Sequence, residues 1–313
     1  MSAPTPLKGS VRVPGDKSIG HRSLLMGALC DGEVSVTGLG SGEDNLATQR
    51  ALEQMGVRIE RAGTEATIHG VGLQGLTAPT RPIDCGNSGT TMRLLLGILA
   101  GQPFPVTLVG DRSLSRRPMG RVLEPLSQMG LDVVRAEDGS RAPLTVQGRR
   151  DLRPLSYDSP IASAQVKSAI LLAGLWANGE TSVREPHPSR DHTERMLDFL
   201  GRPPGPGALH VPGDLSSAAF ILGAALLIPQ SQVTVRGVGV NPTRTGFLEV
   251  IKTMGAHVSL SNEEQRNGEP SADLTLSQGP LRGAEISGAL TVRAIDELPL
   301  VATVATQAEG PTV

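Results

Sequence analysis

The chain has 313 residues, enough for one large domain or two ordinary ones. Its 29 Lys and Arg against 31 Asp and Glu give a formal charge of −2, which disfavours a nucleic-acid or membrane-surface protein. No run of about 18 apolar residues is present, and Met1–Pro4 lacks an apolar signal core. Two cysteines, Cys30 and Cys85, cannot build a disulfide framework and are typical of a reducing compartment. We therefore expect a soluble cytoplasmic protein.

A repeated unit organises the chain: a polar Gly/Ser turn, an apolar helix, a short strand, an amphipathic helix ending in glycine, and further strand. The apolar helices are predicted over Ile19–Leu29, Thr90–Ala100, Ala164–Ala177, Ser216–Ile228 and Glu297–Ala305. Because they are apolar almost all round, we expect them to be buried. The strands predicted after the first four are Val34–Thr37, Val106–Val109, Thr181–Arg184 and Val233–Arg236.

The second helix of each unit ends in the same way. A glycine follows a bulky apolar residue at Met55-Gly56, Met129-Gly130, Leu200-Gly201 and Met254-Gly255. Glycine supplies the left-handed cap that other residues adopt only at a cost. Strand pairs such as Val57–Glu60 with Ala66–His69 then close the unit. Helices and strands that alternate in this way indicate an α/β protein.

Two units depart from the pattern. After Gly201 the third unit has the Pro- and Gly-rich segment 202–207, where the others carry a strand, a turn and another strand. The fifth unit stops at Val313, where its first strand should begin. A strand start without a partner is a poor natural terminus, so we expect a C-terminally incomplete chain.

The segment Val-Pro-Gly-Asp occurs twice, at Val13–Asp16 and Val211–Asp214, each time before an apolar helix. A Pro-Gly pair marks a change of chain direction. Its duplication predicts paired crossovers between two domains. We predict one domain of three units over 15–212, and a second domain made of 1–14 and 213–313.

The candidate functional residues lie at the starts of the apolar helices, where unpaired N–H groups and the positive dipole end attract phosphate and carboxylate. Lys17, Ser18 and Arg22 open the first helix. Ser18 can cap it, and Arg22, four residues on, lies on the same face. The alternative is a capped helix with two solvated cations.

The second apolar helix follows the Gly-rich turn 86–89. Small residues let backbone N–H groups approach an anion closely, but the turn lacks the Gly-Lys-Ser/Thr of a Walker loop. The alternative is a plain turn. Its position in the unit matches that of Lys17-Ser18. Farther on, Arg116-Arg117-Pro118 precedes the second amphipathic helix, with Pro118 suited to its first position.

Two later helix starts also carry polar residues. Ser163, Gln165 and Lys167 open the third apolar helix, and we expect Lys167 to reach the surface rather than to act in chemistry. Asp296 is predicted as the N-cap of the last helix, which by itself explains the residue. A carboxylate at such a helix end is also well placed as a general base.

The histidines and cysteines indicate neither a metal site nor a nucleophile. The six histidines are scattered without metal-ligand spacing, so we expect no metal. Cys85 is the one candidate nucleophilic cysteine, but burial beside Gly86 is the favoured interpretation.

Taken in order, these motifs resemble the 5-enolpyruvylshikimate-3-phosphate (EPSP) synthase family. The matching segments are 14–22, 86–93, 117–120, 163–165 and 296–297, and the resemblance runs the length of the chain. It implies an α/β protein, a two-domain inside-out barrel of repeated βαβαββ units whose second domain is C-terminally incomplete. It further implies small-molecule substrates, no cofactor, no nucleic-acid or membrane partner, and a monomer.

The activity implied by the resemblance is 3-phosphoshikimate 1-carboxyvinyl transfer. The enolpyruvyl group of phosphoenolpyruvate moves to the 5-hydroxyl of shikimate-3-phosphate with release of phosphate, a step toward chorismate and aromatic amino acids. Asp296 is implied as the base for the 5-hydroxyl proton, and Lys17 as a group in proton transfer. The implied contacts to shikimate-3-phosphate are Lys17, Ser18, Arg22, Ser163, Ala164, Gln165, Arg190 and Asp296. Those to phosphoenolpyruvate are Lys17, Asn87, Gly89, Arg117 and Gln165.

Later motifs of the family, a Lys-Glu-Ser-Asp-Arg segment, a His-Arg pair and a late lysine, should lie beyond Val313. We therefore expect this chain alone to be inactive or nearly so. Three alternatives stay open. UDP-N-acetylglucosamine 1-carboxyvinyltransferases have Lys-Asn in place of Lys17-Ser18 and a cysteine within 111–117, and neither is present. The others are a non-catalytic anion-binding module and a relative of RNA 3′-phosphate cyclase, which should show a basic face.

Overall fold

The computed structural model describes residues 5–313. Residues 1–4, and with them the prediction about the N-terminal signal core, lie outside the described residues. Helices and strands alternate along the described chain, so the predicted α/β class is confirmed.

The first repeat follows a short strand and carries the predicted order of elements. These are β1 (Lys8–Val11), α1 (Lys17–Leu29), β2 (Asp31–Thr37), α2 (Glu43–Gln54), β3 (Arg58–Ala62) and β4 (Glu65–Val71).

The second repeat has the same order, and the third is shorter. The second comprises β5 (Ile83–Asp84), α3 (Gly89–Leu99), β6 (Pro105–Val109), α4 (Gly120–Met129), β7 (Asp132–Glu137) and β8 (Arg141–Gln147). The third comprises β9 (Ser156–Asp158), α5 (Ala164–Ala173), β10 (Ser182–Arg184), α6 (His192–Leu200) and β11 (Gly207–His210).

The rest of the chain begins the pattern again. Its elements are α7 (Leu215–Leu227), β12 (Gln232–Gly239), α8 (Gly246–Thr253), β13 (His257–Arg266), β14 (Glu269–Ser277), α9 (Gly288–Ala294) and α10 (Leu298–Ala305).

The larger sheets formed by residues 5–313 share one topology, which confirms the repeat. Their strand orders are β5-β6-β8-β7, β11-β2-β4-β3 and β1-β12-β14-β13. In each the first two strands are parallel and the remaining neighbours antiparallel. The shortened third repeat forms only the parallel pair β9–β10 within the described chain, and its last strand, β11, joins the sheet of the first repeat.

The chain divides into two compact units. The larger comprises Lys17–Pro186 and Asp191–Val211; the smaller comprises the described part of Met1–Asp16, His187–Arg190 and Pro212–Val313. Each unit has its own apolar core. The predicted division into a domain of three units over 15–212 and a second domain of 1–14 with 213–313 stays a prediction.

The Pro-Gly-Asp parts of the two Val-Pro-Gly-Asp segments, 14–16 and 212–214, lie side by side in the smaller unit. The Asp16 N–H donates to the Pro212 carbonyl and the Asp214 N–H to the Pro14 carbonyl, both at 2.8 Å. Gly15 and Gly213 form an antiparallel bridge between them. The reciprocal bonds fix the backbone at both Pro-Gly turns.

Four of the predicted apolar helices, α1, α3, α5 and α7, place most of their residues in the cores. Helices α3 and α5 pack closely at Gly97, where a Cβ would lie 2.3 Å from the Ala169 carbonyl oxygen. The fifth, α10, buries only Val301 and Val304, so the prediction of complete burial was wrong there. The glycines that follow α2, α4, α6 and α8 all have positive φ, as predicted. No helix within residues 5–313 is long and apolar enough to cross a membrane.

Candidate functional site

In the larger unit, the start of α1 is held by α2. Helix α1 begins at Lys17, so Ser18 lies inside the first turn and the prediction that it caps the helix was wrong. The Lys17 Nζ lies 3.0 Å from Asp44 Oδ2, and Asn45 Nδ2 donates to the Lys17 carbonyl at 3.0 Å. Because the Lys17 side chain is 55% exposed, its ammonium group is accessible to a ligand.

Arg22 is buried below this start. Its guanidinium donates to the Ser18 carbonyl at 2.8 Å, to Thr193 Oγ1 at 2.7 Å and to Ser168 Oγ at 2.6 Å. Arg22 and Ser18 therefore do share a helix face, as predicted. Arg22 connects α1 to α5 and α6, and these bonds fix its guanidinium behind the first turn of α1.

The Gly-rich turn before α3 is ordered by its own polar side chains. Ser88 is the N-cap of α3 and accepts from the Thr91 N–H at 3.1 Å. Asp111 accepts from Asn87 Nδ2 at 2.6 Å and from the Leu114 N–H at 2.7 Å, and these bonds lower the pKa of its carboxyl. Asn87 in turn accepts from Arg117 Nη2 at 2.9 Å.

Two arginines converge on Gly89, the first residue of α3. A Cβ built on Gly89 would lie 2.7 Å from Arg93 Nη1 and 3.3 Å from Arg117 Nη1. Gln165 joins them: its Oε1 accepts from Arg93 Nη1 at 2.7 Å and its Nε2 donates to Thr90 Oγ1 at 3.0 Å. The structure thus brings together the predicted Asn87, Gly89, Arg117 and Gln165. We call these residues and Arg93 the Gly89 cluster.

The charge of the Gly89 cluster is suited to an anion. Burial, with Arg121 and Arg117 nearby, lowers the pKa of the Arg93 guanidinium to about 10. Arg93 is still a cation at neutral pH, but one whose charge is poorly compensated. A bound phosphate or carboxylate would supply the missing negative charge at the positive end of α3.

A substitution tests how tightly the Gly89 cluster is built. We expect Gly89→Ala to weaken the binding of an anion such as inorganic phosphate by about tenfold or more, because its Cβ displaces Arg93 from Gln165. The free energy of unfolding should change by less than about 1 kcal/mol, since the displaced group is the end of a flexible side chain. Titration calorimetry and urea unfolding measure the two effects. Gly42→Ala is the control, because a Cβ there meets nothing within 4 Å. Unchanged affinity in Gly89→Ala would contradict the geometry.

The start of α5 carries the predicted residues Ser163, Ala164 and Gln165. Ser163 is the N-cap of α5, and its N–H donates to Glu185 Oε1 at 2.7 Å. The prediction that Lys167 reaches the surface was wrong: its side chain is 8% exposed, and its Nζ lies 2.9 Å from Glu185 Oε2 and 2.8 Å from Glu194 Oε1. Burial opposes its charge, but the two carboxylates outweigh burial and raise the pKa of Lys167.

In the smaller unit the structure brings together Asp296 and Arg190. Helix α10 begins at Leu298 with Glu297 as its N-cap, so the prediction that Asp296 is the cap was wrong by one residue. The Asp296 carboxylate instead pairs with Arg190, and its Oδ2 lies 3.3 Å from Nη1 of the buried Arg244. Two cations therefore orient this carboxylate.

Arg244 is the centre of an acidic group. Its Nη2 donates to Ser216 Oγ at 2.6 Å and lies 3.7 Å from Glu297 Oε1, and Ser216 Oγ donates to the same oxygen at 2.5 Å. Burial opposes the positive charge of Arg244. The nearby carboxylates, above all those of Asp16 and Glu297, outweigh this effect and raise the pKa of Arg244. Burial also raises the pKa of Glu297, although Arg244 and Ser216 act against it.

The raised pKa of Glu297 predicts that a substitution at this position changes stability in a pH-dependent way. A carboxyl whose folded-state pKa is raised contributes stability fully below its unfolded pKa and loses it as pH rises through the folded pKa. We therefore expect Glu297→Gln to be more stable than the wild type at neutral pH, with the difference shrinking as pH falls through the raised pKa of Glu297 and gone below the ordinary glutamate pKa. Urea unfolding at several pH values measures this. A difference that grows toward acid would contradict the interpretation.

Cys85 is poorly suited to act as a nucleophile. It is buried, and burial raises the pKa of its thiol to about 12, so it stays protonated at neutral pH. This confirms the interpretation favoured from the sequence.

Sequence reasoning missed Arg93 and Arg244 as members of these clusters. Arg93 lies four residues after Gly89, inside a helix that is otherwise almost wholly apolar. Arg244 follows β12 in the turn Asn241-Pro242-Thr243. An arginine within an apolar helix was the signal that could have identified Arg93, because a buried arginine needs partners of its own.

Comparisons with known proteins point to the same family that the sequence motifs resemble. All of residues 1–313 match the family model described as EPSP synthase (3-phosphoshikimate 1-carboxyvinyltransferase). The chain belongs to the EPSP synthase family. The 3-phosphoshikimate 1-carboxyvinyltransferase of Citrifermentans bemidjiense is 51% identical over 322 residues, covering 98% of this chain and 75% of that protein. The one from Acidithiobacillus ferrooxidans is 52% identical over 323 residues, covering 98% and 74%.

Solved structures agree with this membership. EPSP synthase from Acinetobacter baumannii matches with a TM-score of 0.89 at 45% identity, covering 99% of this chain and 74% of that one. The enolpyruvyl transferase NikO from Streptomyces tendae matches with a TM-score of 0.78 at 17% identity, covering 99% and 75%, which shows the fold alone. The α/β fold of the inside-out type implied by the resemblance to EPSP synthases is therefore confirmed. These matches do not favour the UDP-N-acetylglucosamine 1-carboxyvinyltransferase alternative.

Proposed function

We propose that the chain is a 3-phosphoshikimate 1-carboxyvinyltransferase, which transfers the enolpyruvyl group of phosphoenolpyruvate to the 5-hydroxyl of shikimate-3-phosphate and releases phosphate. The observation that supports this most is the Gly89 cluster, where Arg93, Arg117 and Gln165 meet at the start of α3. Phosphate and carboxylate are the groups that guanidinium forks and helix N-termini recognise.

The Gly89 cluster is the proposed site for phosphoenolpyruvate. The Arg117 guanidinium and the Gly89 N–H would bind its phosphate, with Asn87 fixing Arg117. Gln165 and the exposed ammonium of Lys17 would complete the contacts. Desolvated cations at this point also stabilise the charge that grows on the departing phosphate.

The start of α5 and the first turn of α1 are proposed to bind shikimate-3-phosphate. Ser163, Ala164 and Gln165 offer side chains and backbone N–H groups, and Lys17, Ser18 and Arg22 offer cations and a hydroxyl. In the smaller unit, Arg190 is proposed as a further cation for this substrate.

Asp296 is proposed to take the proton of the 5-hydroxyl. The hydroxyl oxygen then bonds to C2 of phosphoenolpyruvate, and the methylene carbon of phosphoenolpyruvate gains a proton. The product of this step is a tetrahedral intermediate. Loss of a proton from that carbon and cleavage of the C2–O bond to phosphate restore the double bond. Lys17 is proposed to serve in this proton transfer. The contacts of Asp296 with Arg190 and Arg244 support its role, because they hold the carboxylate in a fixed orientation.

Titration calorimetry with shikimate-3-phosphate tests the proposal. We expect the wild type to bind this compound and Lys17→Ala to lose binding, because Lys17 is the exposed cation of the α1 start. Lys252→Ala, an exposed lysine of α8, is the control and should bind as the wild type does. An anion-binding module would bind inorganic phosphate as tightly as shikimate-3-phosphate, and that result would overturn the proposal.

We further propose that the protein is cytoplasmic. Cys30 and Cys85 are both buried and unbridged, which is compatible with a reducing compartment.

A further inference from the structure

A buried ionic cluster lies behind the start of α5 in the larger unit. It consists of Lys167 on α5, Glu185 just after β10 and Glu194 on α6. The Lys167 and Glu185 side chains are 8% and 5% exposed, so both charges are almost fully desolvated. Such a pair is a weak source of stability, because desolvation offsets much of the attraction between the charges. Its presence therefore calls for another explanation.

Glu185 uses both of its carboxylate oxygens. Oε2 lies 2.9 Å from Lys167 Nζ, and Oε1 accepts the Ser163 N–H at 2.7 Å. The Ser163 side chain makes no capping bond at the start of α5, although Ser163 occupies the N-cap position. Glu185 thus supplies an acceptor at the start of α5 from a segment 22 residues further along the chain. Its rigid ion pair with Lys167 fixes where that acceptor lies.

The bond acts on the backbone of the segment that carries Ser163, Ala164 and Gln165. Ser163 precedes α5 in an extended conformation, with φ −152° and ψ 101°. Holding its N–H orients the Ser163 hydroxyl and the following N–H groups of the first turn. Lys167, one turn further along, is held by the same carboxylate, so Glu185 sets the position of the whole first turn.

We propose that Glu185 is a positioning residue for shikimate-3-phosphate binding, acting through its hydrogen bond to the Ser163 N–H. This inference rests on the proposed function, which assigns the α5 start to that substrate. Glu185 makes no contact with the substrate in this scheme. Its acceptor oxygen serves binding, whereas its charge serves the ion pair with Lys167.

These separate roles of the oxygen and the charge predict different substrate affinities for two variants of Glu185. Glu185→Gln keeps a carbonyl oxygen for the Ser163 N–H but loses the charge, and Glu185→Ala loses both. We expect the affinity for shikimate-3-phosphate to be nearly retained in Glu185→Gln and to fall about tenfold or more in Glu185→Ala, the size expected for loss of a charge-assisted hydrogen bond. The unfolding midpoint should instead fall by a similar amount in both variants. Phosphoenolpyruvate affinity should stay within about twofold of the wild type, because the Gly89 cluster is intact.

Calorimetry, thermal unfolding and the amide ¹H shift of Ser163 measured by NMR provide the readouts. The Ser163 signal should move upfield in Glu185→Ala and much less in Glu185→Gln. Glu180→Gln, an exposed carboxylate on the other side of β10, is the control. If Glu185→Ala does not fold, the double variant Lys167→Met with Glu185→Leu replaces the pair by apolar side chains and should show the same loss of affinity.

Equal affinities for shikimate-3-phosphate in the wild type and Glu185→Ala would overturn this inference and leave the proposed function standing. Equal losses in Glu185→Gln and Glu185→Ala would also overturn it, since affinity would then follow the charge. A wild type that does not bind shikimate-3-phosphate would overturn the proposed function and this role together.

Discussion

Replacing Arg93 by methionine should strongly weaken the binding of phosphoenolpyruvate while leaving the fold at least as stable as the wild type. Arg93 is 6% exposed, and its Nη1 donates to Gln165 Oε1 at 2.7 Å. Burial and the neighbouring Arg121 and Arg117 already disfavour its charge, as its lowered pKa of about 10 indicates. Methionine fills a similar volume without that cost.

The loss of affinity in Arg93→Met should reach about a hundredfold, the size typical of removing one partner of a buried charge contact. Titration calorimetry measures it, and urea unfolding measures stability. Arg121→Met is the matched control, because Arg121 contributes positive charge nearby but is exposed. Wild-type affinity in Arg93→Met would show that the Gly89 cluster binds no anion.

Replacing Arg244 by methionine should have the opposite effect on stability. Arg244 is the buried cation that faces Asp296 and Glu297, and Asp16 and Asp214 also act on its charge. Removing it leaves these carboxylates without compensation. We expect the free energy of unfolding to fall by about 3 kcal/mol at neutral pH, as when one partner of a buried ion pair is removed.

Acid should reduce the defect of Arg244→Met, because protonation of the carboxylates removes the repulsion that Arg244 offsets. Urea unfolding at neutral and acidic pH measures both effects. Arg293→Met is the control: Arg293 pairs with Glu249 in the same unit, but both side chains are partly exposed, so its loss should cost under about 1 kcal/mol. Equal costs for the two variants would contradict the central role of Arg244.

Most of the fold could be predicted from the sequence because the signals are local. The apolar helices, the glycine caps after α2, α4, α6 and α8, and the strand–helix order all depend on residues within one or two turns. The pairing of β11 with β2 joins residues 207 and 34, and no local pattern reports it. The predicted cap positions were wrong by two residues for Ser18 and by one for Asp296, since a helix start also depends on the neighbouring elements.

The residues of the candidate site also fall into those that local sequence could predict and those that it could not. Asn87 and Gly89 belong to a turn whose small residues allow an anion to approach, whereas the role of Arg117 was implied only by the resemblance to EPSP synthases. Arg93, Arg244 and Glu185 were not identified, because their roles depend on partners far away in sequence: Gln165 lies 72 residues from Arg93, and Asp296 lies 52 from Arg244. Lys167 was misjudged for the same reason, since Glu185 and Glu194 make its burial possible.

A crystal structure of the chain soaked with phosphoenolpyruvate tests the central claim most directly. The predicted result places the phosphate within hydrogen-bond distance of the Gly89 N–H and the Arg117 guanidinium, with Arg93 still bonded to Gln165. A phosphate bound away from α3, with the Gly89 cluster unchanged and empty, would contradict the account.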